Sequence, residues 1–276
     1  MMMKIYQVDA FVSEQFRGNT AGVCLLKTEL LESQMQAIAS EMGFPETAFV
    51  VPEEADREGG KRWAIRWFTP EVEVDLCGHA TLAAGWVLSE ISGETGSIVF
   101  SSRSGDLTVA VDGEFLTLDF PAQKTSAAAL PETVQKALGL DGEYPVYRAE
   151  VRAGNWLVEL ETVGELLAID PDMDTLRQQP EGGLIVTARG EDCDFVSRFF
   201  APNYGIDEDD VTGSAHCSLA PYWAEKLGKT ELLAHQLSER GGEIHCSLKG
   251  DRVLLKGQAK LRTVRQLSGS FFTNEE

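Results

Sequence analysis

The sequence lacks any long apolar run and any recognisable export signal. No stretch of about 18 apolar residues occurs, and a membrane-spanning helix needs roughly that length. The segment MMMKIYQVDAFV carries one lysine but neither a long apolar core nor a small-residue cleavage site. We therefore expect a first strand rather than a signal peptide, and no membrane span.

Basic residues are scarce relative to acidic ones. The chain has 24 Lys and Arg residues against 44 Asp and Glu residues, which gives a net charge of −20 at pH 7. Such a charge disfavours nucleic-acid phosphates and anionic membranes as partners. It remains compatible with a small anionic substrate, because helix ends and backbone amides can bind an anion locally.

Cysteine and histidine are few, and their spacing is unlike that of structural metal sites. The five cysteines form no CxxC pair, which predicts reduced thiols and a cytoplasmic location. Three of the four histidines lie near a cysteine: Cys77/His79, His216/Cys217 and His245/Cys246. Since none of these pairs has the spacing of a structural zinc site, we predict no metal.

Local patterns predict several elements in a chain of 276 residues, which suffices for one large domain or two ordinary ones. Apolar periodicity predicts a helix in ELLESQMQAIASEMGF that stops at Gly43. The pair Asp112-Gly113 predicts a hairpin turn. Residues 121–131, PAQKTSAAALP, are rich in proline, alanine and serine, and we interpret them as a linker.

Two segments of the chain correspond to each other: FTPEVEVDLCGHATLAAGWVL and FAPNYGIDEDDVTGSAHCSLAPYW. Both contain an aromatic residue and a proline, then acids, then a glycine that leads an apolar helix. The amides at Gly78-His79 and at Gly213-Ser214 could together bind a carboxylate or phosphate. The alternative is ordinary helix capping, since glycine and serine are common at helix starts.

Three kinds of side chain are candidates for catalysis. Cys77 could act as a thiolate at a helix N-terminus, but the matching position holds Thr212, so simple apolar packing is favoured. Glu46 enters an apolar strand in GFPETAFV, where burial disfavours the charged carboxylate and suits it to proton transfer. On this pattern alone, a solvated residue at a strand start is the favoured interpretation. The acids at 208–210 could likewise form a solvated loop.

The combined motifs resemble those of the PhzF family of phenazine-biosynthesis-like isomerases, which is similar in fold to diaminopimelate epimerase. The resemblance covers nearly the whole chain, through VDAFVSEQFRGNTAGVCLL, GFPETAFV, IRWFTPEVEVDLCGHATLAAGWVL and DDVTGSAHCSLAPYW. It implies an α+β protein of two similar domains, each a mixed barrel-like sheet around a central helix, with the active site in the cleft between them. The expected domains are 1–120, joined by the C-terminal strand 261–276, and 121–260. Relatives are commonly homodimers.

The resemblance also implies roles by position. Glu46 matches the family's acid/base glutamate, His79 the histidine of its GHAT motif, and Asp209 and Ser214 the aspartate and serine of its D-P-x-T-G-S-A motif. Asp210 departs from the proline of that motif. We therefore expect Glu46, His79 and Asp209 to be catalytic. The substrate-binding residues are expected to be Gly78, His79, Asp209, Gly213 and Ser214.

The expected function is that of a cofactor-independent isomerase acting on a small carboxylate-bearing metabolite. Phenazine biosynthesis is the best-known setting of the family. Two other hypotheses stay open: a protein that binds a small carboxylate without catalysis, and a thiol-based racemase that uses Cys77.

Overall fold

The structure, a computed structural model, describes residues 2–53, 61–151, 154–178 and 182–268. The chain divides into two compact units. The first contains the chain up to Val12, Gly18–Asp119 and the chain from Lys256 onward; the second contains Ser13–Arg17 and Phe120–Leu255.

The first unit is built mainly of strands, with two helices. Its strands are β1 (Met2–Val12), β2 (Asn19–Leu25), β3 (Glu46–Pro52), β4 (Arg62–Phe68), β5 (Glu73–Val74), β6 (Ser97–Ser102), β7 (Gly105–Asp112), β8 (Phe115–Pro121) and most of β17 (Arg252–Ser268). Its helices are α1 (Glu32–Met42) and α2 (Gly78–Ser92).

Eight strands of the first unit close into a barrel. Pairing runs from β1 through β2, β3, β4, β6, β7, β8 and β17, and β17 then pairs with β1. Helix α2 packs against β1, β2, β3 and β7. A continuous run from His79 to Gly85 is buried, so the helix is enclosed on every face and lies inside the barrel.

Glycine is required where α2 approaches the barrel wall most closely. A Cβ atom at Gly85 would lie 2.7 Å from Val109 Cγ1, closer than carbon atoms pack. The mostly apolar composition of α2 therefore fits a helix surrounded by strands, whereas an amphipathic helix would suit a surface.

The second unit has its own sheet and helices. Its strands are β9 (Thr125–Ala127), β10 (Val146–Ala149), β11 (Trp156–Glu159), β12 (Leu184–Arg189), β13 (Phe195–Ala201), β14 (Ile206–Glu208), β15 (Glu231–Gln236) and β16 (Gly242–Lys249). Its helices are α3 (Glu132–Ala137), α4 (Val163–Ala168), α5 (Met173–Arg177) and α6 (Gly213–Leu227), with a short 3-10 turn at Pro202–Tyr204.

The two units repeat the same order of pairings. In the first unit, β1/β2 is antiparallel, β2/β3 parallel, β3/β4 and β4/β5 antiparallel, β4/β6 parallel and β6/β7 antiparallel. The second unit gives the same sequence of directions for β10 to β16. Helices α2 and α6 occupy equivalent places, between β5 and β6 and between β14 and β15. The internal correspondence of the sequence is therefore a correspondence of topology.

Several local predictions are confirmed, and one is wrong. Helix α1 ends at Gly43, whose φ of 64° is left-handed, and Gly113 turns β7 into β8 with a φ of 61°. Residues 121–131 are not simply a linker, because they contain β9, which pairs with β10. Of the predicted C-terminal strand 261–276, residues 261–268 belong to β17, and 269–276 lie outside the described residues. Among the helices of the described ranges, none is both long and apolar enough to cross a membrane.

Candidate active site

Glu46 is the first residue of β3 and lies in the interior of the first unit. Helix α1 ends at Gly43, and the chain then enters β3 beside β2, where Glu46 is paired with Ala21. Its side chain is only 7% exposed, and Oε2 lies 3.1 Å from His79 Nε2. No hydrogen bond of good geometry reaches Oε2 from the described residues. Glu46 is therefore a buried carboxylate that has unused acceptor capacity.

The N-terminus of α2 faces this carboxylate without a side-chain cap. Cys77 is the N-cap residue in extended conformation, its side chain makes no capping hydrogen bond, and the first turn contains no acidic residue. Gly78 and His79 open the helix, and their amides belong to the group that has no partner within an α-helix. Ordinary side-chain capping, the alternative open from sequence, is not present here.

His79 is buried against polar neighbours on both sides of its ring. Nε2 faces Glu46, while the Asn19 side-chain nitrogen lies 3.3 Å from Nδ1. The Cys77 sulfur lies 3.5 Å from Nδ1 and 3.9 Å from Nε2. Contacts at both ring nitrogens fix the orientation of the imidazole, a precondition for positioning a proton.

Burial and the charges of neighbouring side chains shift the pKa values of His79 and Cys77. Burial by itself lowers the pKa of His79, but the negative charge that Cys77 and Glu46 can place beside the ring outweighs it and raises the pKa well above its ordinary value. Burial, followed by the charge of Glu46, raises the pKa of the Cys77 thiol to about 11. The thiol is thus protonated at neutral pH.

Cys77 is buried among the core residues, which agrees with the prediction that it packs in the interior. Its sulfur also contacts the His79 ring, 3.5 Å from Nδ1, and the sequence analysis did not foresee that contact. The sequence could not show this, because the contact depends on the extended N-cap backbone of Cys77. In that conformation the side chains of Cys77 and His79 lie next to each other, with the sulfur 3.5 Å from Nδ1.

The second unit holds the other predicted residues around the start of α6. Thr212 is the N-cap residue, again extended and again without a side-chain cap, and Gly213 and Ser214 open the helix. Gly213 is buried and Ser214 is exposed. The Thr212 hydroxyl donates to Asp209 Oδ2 over 2.6 Å. Asp209 thus lies beside the start of α6 through a contact within one loop, whereas in the first unit Glu46 reaches the start of α2 from the separate strand β3.

A buried glutamine holds this turn in place. Gln236 Oε1 accepts from the Thr212 amide at 2.8 Å, and its Nε2 donates to the Asp209 carbonyl at 2.7 Å. Gln236 is fully buried at the end of β15. The oxygen and the nitrogen of the Gln236 side-chain amide therefore hold the Asp209 loop against the start of α6.

Both helix starts also share a back-bond to the N-cap carbonyl. In α2, the Thr81 hydroxyl donates to the Cys77 carbonyl at 2.6 Å. In α6, His216 Nδ1 lies 2.8 Å from the Thr212 carbonyl, at the equivalent position. Burial lowers the pKa of His216 to about 4. This histidine is therefore neutral and structural, in contrast to His79.

Asp210, which replaces the family's proline, faces an arginine. Arg240 Nε lies 3.5 Å from Asp210 Oδ2, and the two side chains are each about one quarter exposed. The Ser238 hydroxyl donates to the Asp210 carbonyl at 2.9 Å. The negative charge of Asp210 is thus compensated by Arg240 in the same unit.

The sequence did not single out Asn19 and Gln236. Asn19 is fully buried, and it lies in the quoted segment FRGNTAGVCLL. A polar residue that starts an otherwise apolar strand is the signal that could have identified it, since buried amides need partners. Gln236 carries no comparable signal, because its partner Thr212 is known only once the strands pair.

One ligand atom each from Glu46, Cys77 and His79 lies within 4.8 Å of the others. The sequence analysis predicted no metal because none of the cysteine and histidine pairs has the spacing of a structural zinc site, and it did not consider Glu46 together with Cys77 and His79. Oxygen, sulfur and nitrogen ligands of this kind are those that zinc prefers.

Known proteins resemble this chain over nearly its whole length. The profile of the family described as phenazine biosynthesis-like protein, PhzC-PhzF, matches residues 8–264. An uncharacterized isomerase of Pseudomonas aeruginosa is 50% identical over 262 residues, which cover 95% of this chain and 97% of that protein.

Solved structures show the same fold. A PhzF family protein of Enterococcus faecalis matches with a TM-score of 0.89 and 41% identity, covering 97% of this chain and 100% of that one. A structure described as a predicted epimerase of Pseudomonas aeruginosa has a TM-score of 0.76 and 20% identity, covering 97% and 100%. The prediction of an α+β, epimerase-like fold is confirmed.

Proposed function

Since this chain belongs to the PhzC-PhzF family of phenazine biosynthesis-like proteins, as its motifs predicted, we propose that it is an isomerase that needs no cofactor. It moves a carbon-bound proton on a small molecule that carries a carboxylate. The name of the Pseudomonas aeruginosa relative, an isomerase, supports this class of reaction.

One observation carries the proposal: the Glu46 carboxylate is buried 3.1 Å from His79 Nε2 and retains an oxygen without a hydrogen bond. An oxygen with unused acceptor capacity can accept a proton from a substrate carbon. Glu46 begins the cycle as this base, and the adjacent His79 ring holds the carboxylate in position.

The proposed reaction has two proton transfers. In the first, a carbon–hydrogen bond of the substrate breaks, its proton moves to Glu46, and its electron pair remains on the substrate. In the second, Glu46 returns the proton to a carbon, and the new carbon–hydrogen bond completes the isomerisation. Glu46 is a carboxylate again at the end of the cycle, so the reaction consumes no proton and needs no oxidant or reductant.

The uncapped start of α2 supports the recognition of an anion. The Gly78 and His79 amides, together with the partial positive charge of a helix N-terminus, can bind a substrate carboxylate or stabilise the charge that develops during proton removal. Glycine at position 78 leaves that backbone without a Cβ atom, so a ligand can approach it closely.

We assign a related role to the start of α6. Gly213 and Ser214 provide amides, and the Ser214 side chain is exposed. Asp209 accepts from Thr212 through one oxygen, and we propose that its carboxylate orients a polar group of the substrate. Gln236 would act only by positioning this loop.

Substitution of the glutamate tests the proposal. Glu46→Gln keeps the size of the side chain but cannot carry the proton, so exchange of substrate hydrogen with deuterium from D2O should fall by roughly 100-fold or more. Affinity for the ligand should change little. The matched control is Glu41→Gln, at an exposed position of α1. Full exchange by Glu46→Gln would refute the assignment.

The same measurement separates the two competing hypotheses. A protein that only binds a carboxylate would exchange no carbon-bound hydrogen in any variant. A thiol racemase would lose exchange on alkylation of Cys77 or in Cys77→Ala while Glu46→Gln kept it. The pKa of about 11 for the Cys77 thiol argues against a thiolate base at neutral pH.

We further propose a cytoplasmic homodimer. All five cysteines are free, which suits a reducing compartment. Light scattering on the purified chain gives its mass in solution, and a mass near 30.2 kDa would identify a monomer instead.

A further inference from the structure

Beyond the isomerase activity, we propose that Glu46, Cys77 and His79 bind a divalent transition-metal ion, with Zn2+ as the natural example, and that the bound ion blocks the site. The metal is an inhibitor in this proposal and not a cofactor. Binding does not depend on the proposed activity; only the inhibition does.

The distances between the three ligand atoms suit one ion. Tetrahedral zinc holds oxygen and nitrogen at about 2.0 Å and sulfur at about 2.3 Å, so its ligand atoms are roughly 3.3–3.6 Å apart. In the protein, His79 Nε2 is 3.1 Å from Glu46 Oε2 and 3.9 Å from Cys77 Sγ. The ligand atoms of Glu46 and Cys77 lie within 4.8 Å of each other, so these two side chains move closer together when all three residues coordinate one ion.

The Glu46 oxygen is an independent indication of a ligand. It is buried, it points at the other two ligand atoms, and it receives no hydrogen bond of good geometry from the described residues. Its near neighbour His79 Nε2, at 3.1 Å, does not meet hydrogen-bond geometry, and a cation bound between the two atoms would satisfy both.

The charges of the site balance when the ion is bound. The metal displaces the thiol proton of Cys77 and the second imidazole proton of His79, and both protons pass to solvent. One carboxylate, one thiolate and one neutral imidazole then carry two negative charges against the two positive charges of the ion. A buried site with no net charge avoids the large desolvation penalty of an unbalanced one.

Asn19 supports the ring from the other side. Its side-chain amide contacts His79 Nδ1 at 3.3 Å, which leaves Nε2 to face Glu46. With the ion on Nε2, Nδ1 carries the proton and donates it, so the Asn19 amide must turn its oxygen, and not its nitrogen, toward the ring. An outer acceptor in this place orients a metal-binding histidine and is commonly worth 10- to 100-fold in affinity. The fourth coordination position is left for water or for a carboxylate ligand.

A second cluster of possible ligands provides the matched control. On β15 and β16, His235 and His245 each lie 3.4 Å from Glu243. This group has no thiol, and His245 is 44% exposed. Metal bound there would give no absorption from a thiolate, so the two locations can be distinguished by spectroscopy.

Titration of the metal-free protein with Co2+ tests the proposal without any enzyme assay. We expect near-ultraviolet thiolate-to-cobalt absorption that saturates at one equivalent per chain. Cys77→Ser should abolish this absorption, and Glu243→Gln should leave it unchanged. No such band in the wild-type protein, or a band that survives in Cys77→Ser, would overturn the proposal.

Glu46→Gln provides a second variant that keeps the thiol. Its circular dichroism spectrum establishes that it is folded, and its affinity for Co2+ should fall at least tenfold; an unchanged affinity would refute Glu46 as a ligand. In the wild-type protein, one bound equivalent of Zn2+ should suppress deuterium exchange, and EDTA should restore it. Undiminished exchange with Zn2+ bound would refute the block. If no exchange occurs even in the metal-free protein, the proposed function fails while the absorption titration still decides the site.

Discussion

His79 Nε2 lies 3.1 Å from Glu46 Oε2 inside the barrel of the first unit. Burial lowers the pKa of His79, but the negative charge that Cys77 and Glu46 can place beside the ring outweighs burial and raises it well above its ordinary value. The raised pKa of His79 is therefore a property of the folded protein, and it has a measurable consequence for stability.

Stability should fall at alkaline pH because of His79. Its pKa in the folded protein exceeds the value in the unfolded chain, so the ion pair contributes fully below the unfolded pKa of 6.5 and is lost as pH rises through the folded pKa. Urea unfolding of the wild type and of His79→Gln, measured at a series of pH values, should give curves that converge toward alkaline pH. Parallel curves would show that the pair contributes nothing.

His216 should have the opposite effect, at acidic pH. Its pKa falls from an ordinary 6.5 to about 4 through burial, so the unfolded chain binds a proton more readily between these two values. The free energy of unfolding should therefore drop by up to about 3 kcal/mol over that range. In His216→Asn, whose amide can still donate to the Thr212 carbonyl, this part of the pH dependence should vanish. Its persistence would mean that other groups cause the acid sensitivity.

Two threonine-to-valine substitutions should differ in their effect. Thr81→Val removes a donor to the Cys77 carbonyl, but that carbonyl keeps the Thr81 amide at 3.1 Å, so we expect a loss of about 1 kcal/mol. Thr187→Val leaves the buried Trp223 indole N–H, now bonded at 3.0 Å, without its acceptor. That loss should be larger, about 1–3 kcal/mol. Equal losses by urea denaturation would contradict this ranking.

The pair of Asp210 and Arg240 should be worth little to stability. The atoms are 3.5 Å apart and the side chains about one quarter exposed, so solvent screens the attraction. A double-mutant cycle with Asp210→Asn and Arg240→Gln should give a coupling energy of at most about 1 kcal/mol. A larger value would assign this pair a structural role that the family's proline cannot fill.

The sequence predicted those parts of the fold that short-range patterns determine. Helix α1, with its stop at Gly43, and the hairpin at Gly113 follow from periodicity and turn chemistry alone. Strand β9 was not predicted, because its three residues are stabilised by pairing with β10. The composition of residues 121–131 gives no indication of that pairing.

The candidate site was predictable where a motif surrounds the residue. Glu46 and His79 were named from sequence, and the structure places them in contact. The contacts of Cys77 and Asn19 with His79 were not foreseen, because they depend on which residues lie together around the start of α2. Such contacts between distant segments leave no regular spacing in the chain.

Closure of the barrel by β17 has a consequence for the order of folding. Strand β17 completes the first unit by pairing with β1, yet it follows all of β9 to β16 in the chain. On the ribosome, the second unit can therefore acquire its sheet while the first still lacks its closing strand. Until β17 emerges, β1 and β8 expose unpaired edges, which are the surfaces most prone to pairing with another chain. The earliest part of the protein to be made is thus among the last to be finished.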